Sequence, residues 1–139
     1  MSQQTLAIAT RRHRRTVLVE LRGELDLCTI DGLTAAIDAI KPHTDGVRHI
    51  VVDLRGLTFM DLAGLRELLK QATFARANHH NLAVVRGPHG VRLLFGLTDA
   101  EQLLVLVDDP DELSPPAPVA ALRIVGREAP KGGEQETRE

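Results

Sequence analysis

The 139-residue sequence has no tryptophan, no tyrosine and only three phenylalanines. With so few aromatic platforms and a formal net charge of −2, neither base stacking nor a general attraction to phosphate backbones is expected, so nucleic acid is not a predicted partner. A single cysteine, Cys28, excludes an intrachain disulfide framework and suits a reducing compartment. Long apolar runs are also lacking: "LLVLV", Leu103 to Val107, falls far short of the ~20 residues of a membrane-spanning helix. No N-terminal segment has the form of a signal peptide, so a cytoplasmic protein with no direct membrane insertion is expected. Lysine is confined to Lys41, Lys70 and Lys131, and serine to Ser2 and Ser114.

What remains is enough for one core, since 43% of the residues are hydrophobic. Leu6 to Ala9 and Thr16 to Leu21 read as short strands, Val17, Val19 and Leu21 alternating with Leu18, Glu20 and Arg22. The intervening "RRHRR" is expected at a solvated hairpin tip, where Arg11, Arg12, His13, Arg14 and Arg15 discourage edge pairing; the other reading is a docking patch for an acidic partner. From Thr29, a plausible N-cap, Ile30, Leu33, Ile37 and Ile40 share one helical face, and Pro42 closes the segment. "HIVVDL" is a strand of the kind covered on both faces. A second helix, Asp61 to about Ala77, places Leu65, Leu68, Leu69 and Ala72 on one side and Phe74 on the other. "NLAVV" is a further buried strand, "HGVRLLF" a short helix ended by Gly96, and "LLVLV" a last strand.

Strands alternating with helices imply right-handed crossovers and a mostly parallel mixed sheet of about five strands, the first added antiparallel and all packed with helices. The fold class is therefore α/β, a single domain over residues 1–108. Residues 109–139 differ: four of the seven prolines lie between Pro110 and Pro118, and half of the last fourteen residues are charged. So little apolar surface does not offset the entropy of ordering, and a flexible tail is expected. Its apolar stretch, Val119 to Val125, is read either as a transient contact or as cover for an exposed sheet edge.

Loops leaving the C-terminal ends of parallel strands gather on one edge, where ligands usually bind. "GELDLCT", Gly23 to Thr29, and "RGLTFMD", Arg55 to Asp61, are read as two such loops that bring Glu24, Asp26 and Asp61 toward one another. Converging carboxylates can hold Mg²⁺ or move protons. Helix capping by Asp61 and turn formation by Asp26 explain them more simply, because no partner base or phosphate-binding lysine accompanies them. His79 and His80 adjoin and so lack the spacing of a helical ligand pair. Cys28 precedes a helix start without a local basic partner and is expected to be small and partly buried. The glycines of "RGPHG" lack the lysine and spacing of a phosphate loop. With no nucleophile–base pair and no metal cluster, neither catalytic residues, a metal nor a cofactor is expected, and the chain reads as a non-enzyme.

The segments "RGELDLCTIDGL" and "VVDLRGLTFMDLAGLRELL" resemble the STAS domain of anti-sigma factor antagonists, in which a G-E-L-D loop and a D-L-x-x-L-x-F-[MI]-D-S-S-G segment recur. The likeness runs from about Leu6 to Asp108. It rests on Gly23, Glu24, Leu25, Asp26, Asp53, Leu54, Leu57, Phe59, Met60, Asp61, Gly64 and Leu65. The resemblance implies a STAS-like fold and a protein-binding module of bacterial partner switching, its partner an anti-sigma factor or related ATPase-fold kinase. The implied partner-binding residues are Glu24, Asp26, Asp61, Leu62, Ala63 and Gly64. In the family the kinase switches the domain off by phosphorylating the first serine of D-S-S-G, adding about −1.5 to −2 charge at a helix N-terminus. Leu62 and Ala63 stand at the two serine positions, so the phosphosite itself is substituted, by Leu62. Thr58 precedes Asp61 by three residues and is not given the role.

Two rivals use the same elements. In a phosphoacceptor receiver domain Asp53 would be the acceptor, but no lysine lies near the end of the last strand. A STAS-type regulatory subunit of a membrane transport complex would keep the fold and change the partner. Leu62 itself is read either as an apolar contact for a partner or as a core residue, and homo-oligomerisation is left open.

Overall fold

The computed structural model describes residues 5–43, 46–110 and 123–124. An antiparallel hairpin comes first, with β1 (Leu6–His13) paired to β2 (Thr16–Leu25). There follow α1 (Ile30–His43), β3 (His49–Met60), α2 (Leu62–Ala77), β4 (Asn81–Val85), α3 (His89–Leu97), α4 (Ala100–Leu103), β5 (Val105–Val107) and a two-residue β6 (Arg123–Ile124). The sheet order is β5-β4-β3-β2-β1-β6. β2, β3, β4 and β5 are mutually parallel, while β1 and β6 are antiparallel additions at one side. This is the expected α/β domain with a mostly parallel mixed sheet.

Period-2 patterning carries the core. Val17, Val19 and Leu21 of β2, Ile50, Val52 and Leu54 of β3, and Leu82 and Val84 of β4 pack with Leu33, Ile37 and Ile40 of α1 and Leu65, Leu68 and Ala72 of α2. Leu69 packs partly against the same cluster, and Phe74 is half exposed, as the helical face predicted. Val91 and Phe95 of α3 and Ala100 of α4 complete it. Val51 and Val52 are both buried, consistent with a β3 covered on both faces.

The structure corrects the sequence reading at the element ends. β1 runs on to His13, so Arg11, Arg12 and His13 belong to a strand and only Arg14 and Arg15 form the turn, Arg14 with a left-handed φ of 57°. Pairing with β2 accounts for the extension: Arg11 faces the neighbouring strand's carboxylate and binds Glu20 at 2.8 Å. The expected loop Arg55 to Asp61 is strand up to Met60, and the first three residues of Gly23 to Thr29 are strand as well, leaving a turn only from Asp26. β2 and β3 stay paired through Gly23 with Leu57, Glu24 with Phe59 and Leu25 with Met60, beyond register shifts between Glu20 and Arg22 and between Gly23 and Glu24. Such bulges let a strand bend and continue where its alternation breaks. α1 extends one residue past Pro42, and α4 is a single turn that no local pattern announced. Arg123 and Ile124 pair with Thr10 and Ala9, on the open side of β1; the rest of the expectation for residues 109–139 falls outside the described residues, apart from Asp109 and Pro110.

Gly23 is the tightest point of this framework. Its φ is 111°, and a Cβ there would collide with the Thr5 carbonyl, whose oxygen accepts the Glu24 N–H at 2.9 Å. Gly23→Ala should therefore lower unfolding stability by about 1–3 kcal/mol, measured by urea denaturation. An unchanged midpoint would contradict this close approach.

Candidate functional site

Two strand ends and one helix start meet at the C-terminal edge of the sheet. Leu25 and Met60 are register partners, so the chains leaving β2 and β3 depart side by side. The Asp61 N–H donates to the Leu25 carbonyl at 3.3 Å, tying the two together. Asp61 is the N-cap of α2: its Oδ1 accepts from the Gly64 N–H at 3.0 Å, and its carbonyl accepts from Leu65 at 3.0 Å. Gly64 lies so close to β2 that a Cβ would sit 2.6 Å from the Leu25 carbonyl oxygen and 2.9 Å from Met60 Cγ. A glycine in the first turn is what lets α2 begin against the end of β2.

The β2–α1 turn is built from its own side chains. Asp26 is 3% exposed, and its Oδ1 accepts from the Cys28 N–H at 3.0 Å. The Thr29 hydroxyl donates to the Glu24 carbonyl at 2.7 Å and accepts from the Asp26 N–H at 3.0 Å. Thr29 thus braces the turn ahead of α1. Glu24 is engaged elsewhere, its Oε1 accepting from the Thr5 N–H at 3.0 Å.

The three carboxylates therefore have three separate local tasks. Among the described residues no group of three or more His, Cys, Asp or Glu side chains is placed to hold a metal ion. The geometry also sorts the expected contact residues. Leu62 is 50% exposed, which removes the core reading, and Ala63 is half-buried beside it. Asp26 is buried and Gly64, also buried, has no side chain, so neither offers side-chain area at this edge.

Exposed here and not foreseen as contacts are Leu27, at 71%, and Phe59, at 49%. Both carry the same signal, a large apolar residue in a stretch whose composition reads as turn or loop. Cys28 is exposed rather than partly buried, since Asp26 and not Cys28 turns inward.

The remaining candidates are not at the start of α2. The Thr58 hydroxyl donates to the Gly23 carbonyl at 3.2 Å, on β3 and not on the helix. Asp53 is buried and clamped by Arg55, whose Nε and Nη2 donate at 3.0 and 2.8 Å and whose backbone N–H donates at 3.0 Å. That hydrogen bond pushes the Arg55 pKa up from its already high value. A carboxylate so enclosed is a poor phosphoacceptor, which removes the receiver-domain reading. His79 is exposed with a left-handed φ of 66°, His80 is half-buried, and both follow α2.

A family model described as "Mlab, STAS domain" matches residues 8–107. The chain belongs to the STAS domain family. Its fold is shared with an anti-sigma factor antagonist from Mycobacterium paratuberculosis, at 22% identity and a TM-score of 0.67 over 80% of this chain and 92% of that one. The anti-sigma factor antagonist SpoIIAA in its unphosphorylated form is similar at 21% identity and a TM-score of 0.63, over 76% of this chain and 91% of that one. The STAS fold also recurs in the murine anion transporter Solute Carrier 26 family member A9, at 11% identity and a TM-score of 0.58, over 70% of this chain but only 18% of the transporter.

In this STAS domain the cap is a structural element in its own right. Asp61→Ala should cost about 0.5–2 kcal/mol of stability, and Asp61→Ser should recover most of it, because a hydroxyl can also accept the Gly64 N–H. Equal melting temperatures for all three proteins would show that the cap contributes nothing.

Proposed function

We propose that this STAS domain is an anti-sigma factor antagonist-like docking module of a bacterial partner-switching pathway, acting in the cytoplasm without catalytic activity of its own and lacking the family's phosphorylatable serine. Its partner is an anti-sigma factor or a related ATPase-fold kinase. The observation that carries this reading is the half-exposed Leu62 at the Asp61-capped start of α2, where the family places its serine. Leu62 and Ala63 supply contact area, Leu27 extends it across the neighbouring strand end, and Glu24 borders it. Asp26, Asp61 and Gly64 hold the two backbones that present those side chains. Exposed leucines at one edge are costly to leave in water and gain about 25 cal/mol for each Å² a partner covers.

A second reading, a STAS-type regulatory subunit of a membrane transport complex, is favoured by the recurrence of the fold in an anion transporter. Affinity purification from the native cell separates the two: an anti-sigma factor or ATPase-fold kinase supports the first, a transporter ATPase or permease the second. With the partner in hand, Leu62→Glu should weaken binding by at least about tenfold while leaving the melting temperature near that of the wild type. Binding equal to the wild type would remove Leu62 from the interface.

A further inference from the structure

Beyond the carboxyl ends of β4 and β5 lies a hollow of ≈ 350 Å³, separate from the α2 start and lined by Arg55, Arg86, Gly87, Pro88, Arg92 and Asp108. Three guanidinium groups reach it from three elements: Arg55 from β3, Arg86 from the residue after β4, and Arg92 from the first turns of α3. Asp53 and Asp108 face them directly, and Asp109 and Glu20 act on Arg55 through space. Asp53 takes Arg55 Nε and Nη2 from a buried position, which leaves Nη1 outside that pair. Asp108 serves two arginines through a single oxygen, its Oδ1 lying 3.0 Å from Arg86 Nη1 and 3.6 Å from Arg92 Nη2. The second distance is an ion pair beyond hydrogen-bond length. The Asp108 side chain is 64% exposed, so little packing holds it in place.

The local backbone adds to the same potential. α3 is capped by Pro88 with no side-chain hydrogen bond, and its first turn has no acidic residue. Arg92 is therefore a cation near the positive end of a helix dipole with no acidic residue in its own first turn, offset only at 3.6 Å by Asp108, an arrangement that favours a closer anion. Gly87 is required to bring this loop close, since a Cβ there would lie 2.8 Å from the Leu54 carbonyl oxygen. The loop is thus held against β3, and Arg55 and Arg86 cannot drift apart freely.

We propose that this hollow binds the dianionic phosphate group of a small molecule, and that Asp108 occupies the anion's position when the site is empty. Several terminal oxygens can accept from Arg55 Nη1, Arg86 and Arg92 together, whereas Asp108 Oδ1 meets only two of them, one at long range. Planar guanidinium forks suit such oxyanions better than lysines do. The volume is at the small end of ligand sites and leaves room for more than a bare ion.

The test is isothermal titration calorimetry of the full chain at constant ionic strength, with inorganic phosphate and glycerol 3-phosphate as probes. Arg92→Gln and Arg86→Gln should each weaken binding by at least about tenfold. Asp108→Asn should tighten binding severalfold by removing the competing carboxylate. Tighter binding of glycerol 3-phosphate than of phosphate assigns the site to an ester; the reverse order assigns it to the free ion, and either result sustains the phosphate-group proposal. The idea is overturned by an absence of saturable binding, by unchanged affinity in Arg92→Gln, or by equal weakening in the surface control Arg66→Gln. Circular dichroism checks each fold, and should Arg86→Gln unfold, the exposed Arg92 still decides the question.

Discussion

The candidate surface depends on β2 and β3 staying paired after β4 has stopped. β4 leaves β3 at Asp53, yet β3 continues to Met60 with β2 beside it. Two register shifts absorb the broken alternation in this extension, and Gly56 allows the strands to approach, since a Cβ there would lie 2.6 Å from the Leu21 carbonyl oxygen. The result is that Leu25 and Met60 arrive together. Asp61 then binds Leu25 through its backbone and caps α2 through its side chain, and Gly64 seats the helix on the same carbonyl. Leu62 takes its position from that junction, and Leu27 follows the end of β2 into the turn braced by Asp26 and Thr29.

What was legible in the sequence follows from which forces are local. The faces of α1 and α2, the strands "HIVVDL" and "NLAVV", and the cap at Asp61 all declare themselves through period or side-chain chemistry. The C-terminal halves of β2 and β3 do not, because glycine and charge in "RGEL" and "RGLTFM" are turn signals unless a neighbouring strand supplies hydrogen bonds from far along the chain. Arg11 to His13 misled in the same way, since the ion pair of Arg11 with Glu20 exists only once the hairpin has formed. A four-residue helix such as α4 has too few positions to show a period. The burial of Asp26 beside an exposed Cys28 depends on which way one turn faces, and both residues suit that turn equally well.

On the proposed reading, the same junction would let a STAS domain keep a docking face with leucine where the family's serine stands. The cap, the first-turn glycine and the strand-end hydrogen bond are backbone devices, and none of them involves the side chain at position 62. Exchanging a hydroxyl for leucine there removes an acceptor of phosphate and adds apolar area, while the helix start stays where it was. The arginine-lined hollow is built on different elements, the loop after β4 and the end of β5, so a small anion bound there need not compete with a protein on α2.

If the proposed docking surface has no phosphorylatable residue, it should hold its partner whatever the state of the proposed kinase. The direct measurement is intact mass and complex stability after incubation with the kinase-active partner and ATP, for the wild type and for Leu62→Ser. The account predicts no added phosphate on the wild type and an undiminished complex, with phosphorylation gained at the helix start in the serine variant. Stoichiometric phosphorylation of the wild type at Thr58, with release of the partner, would contradict it.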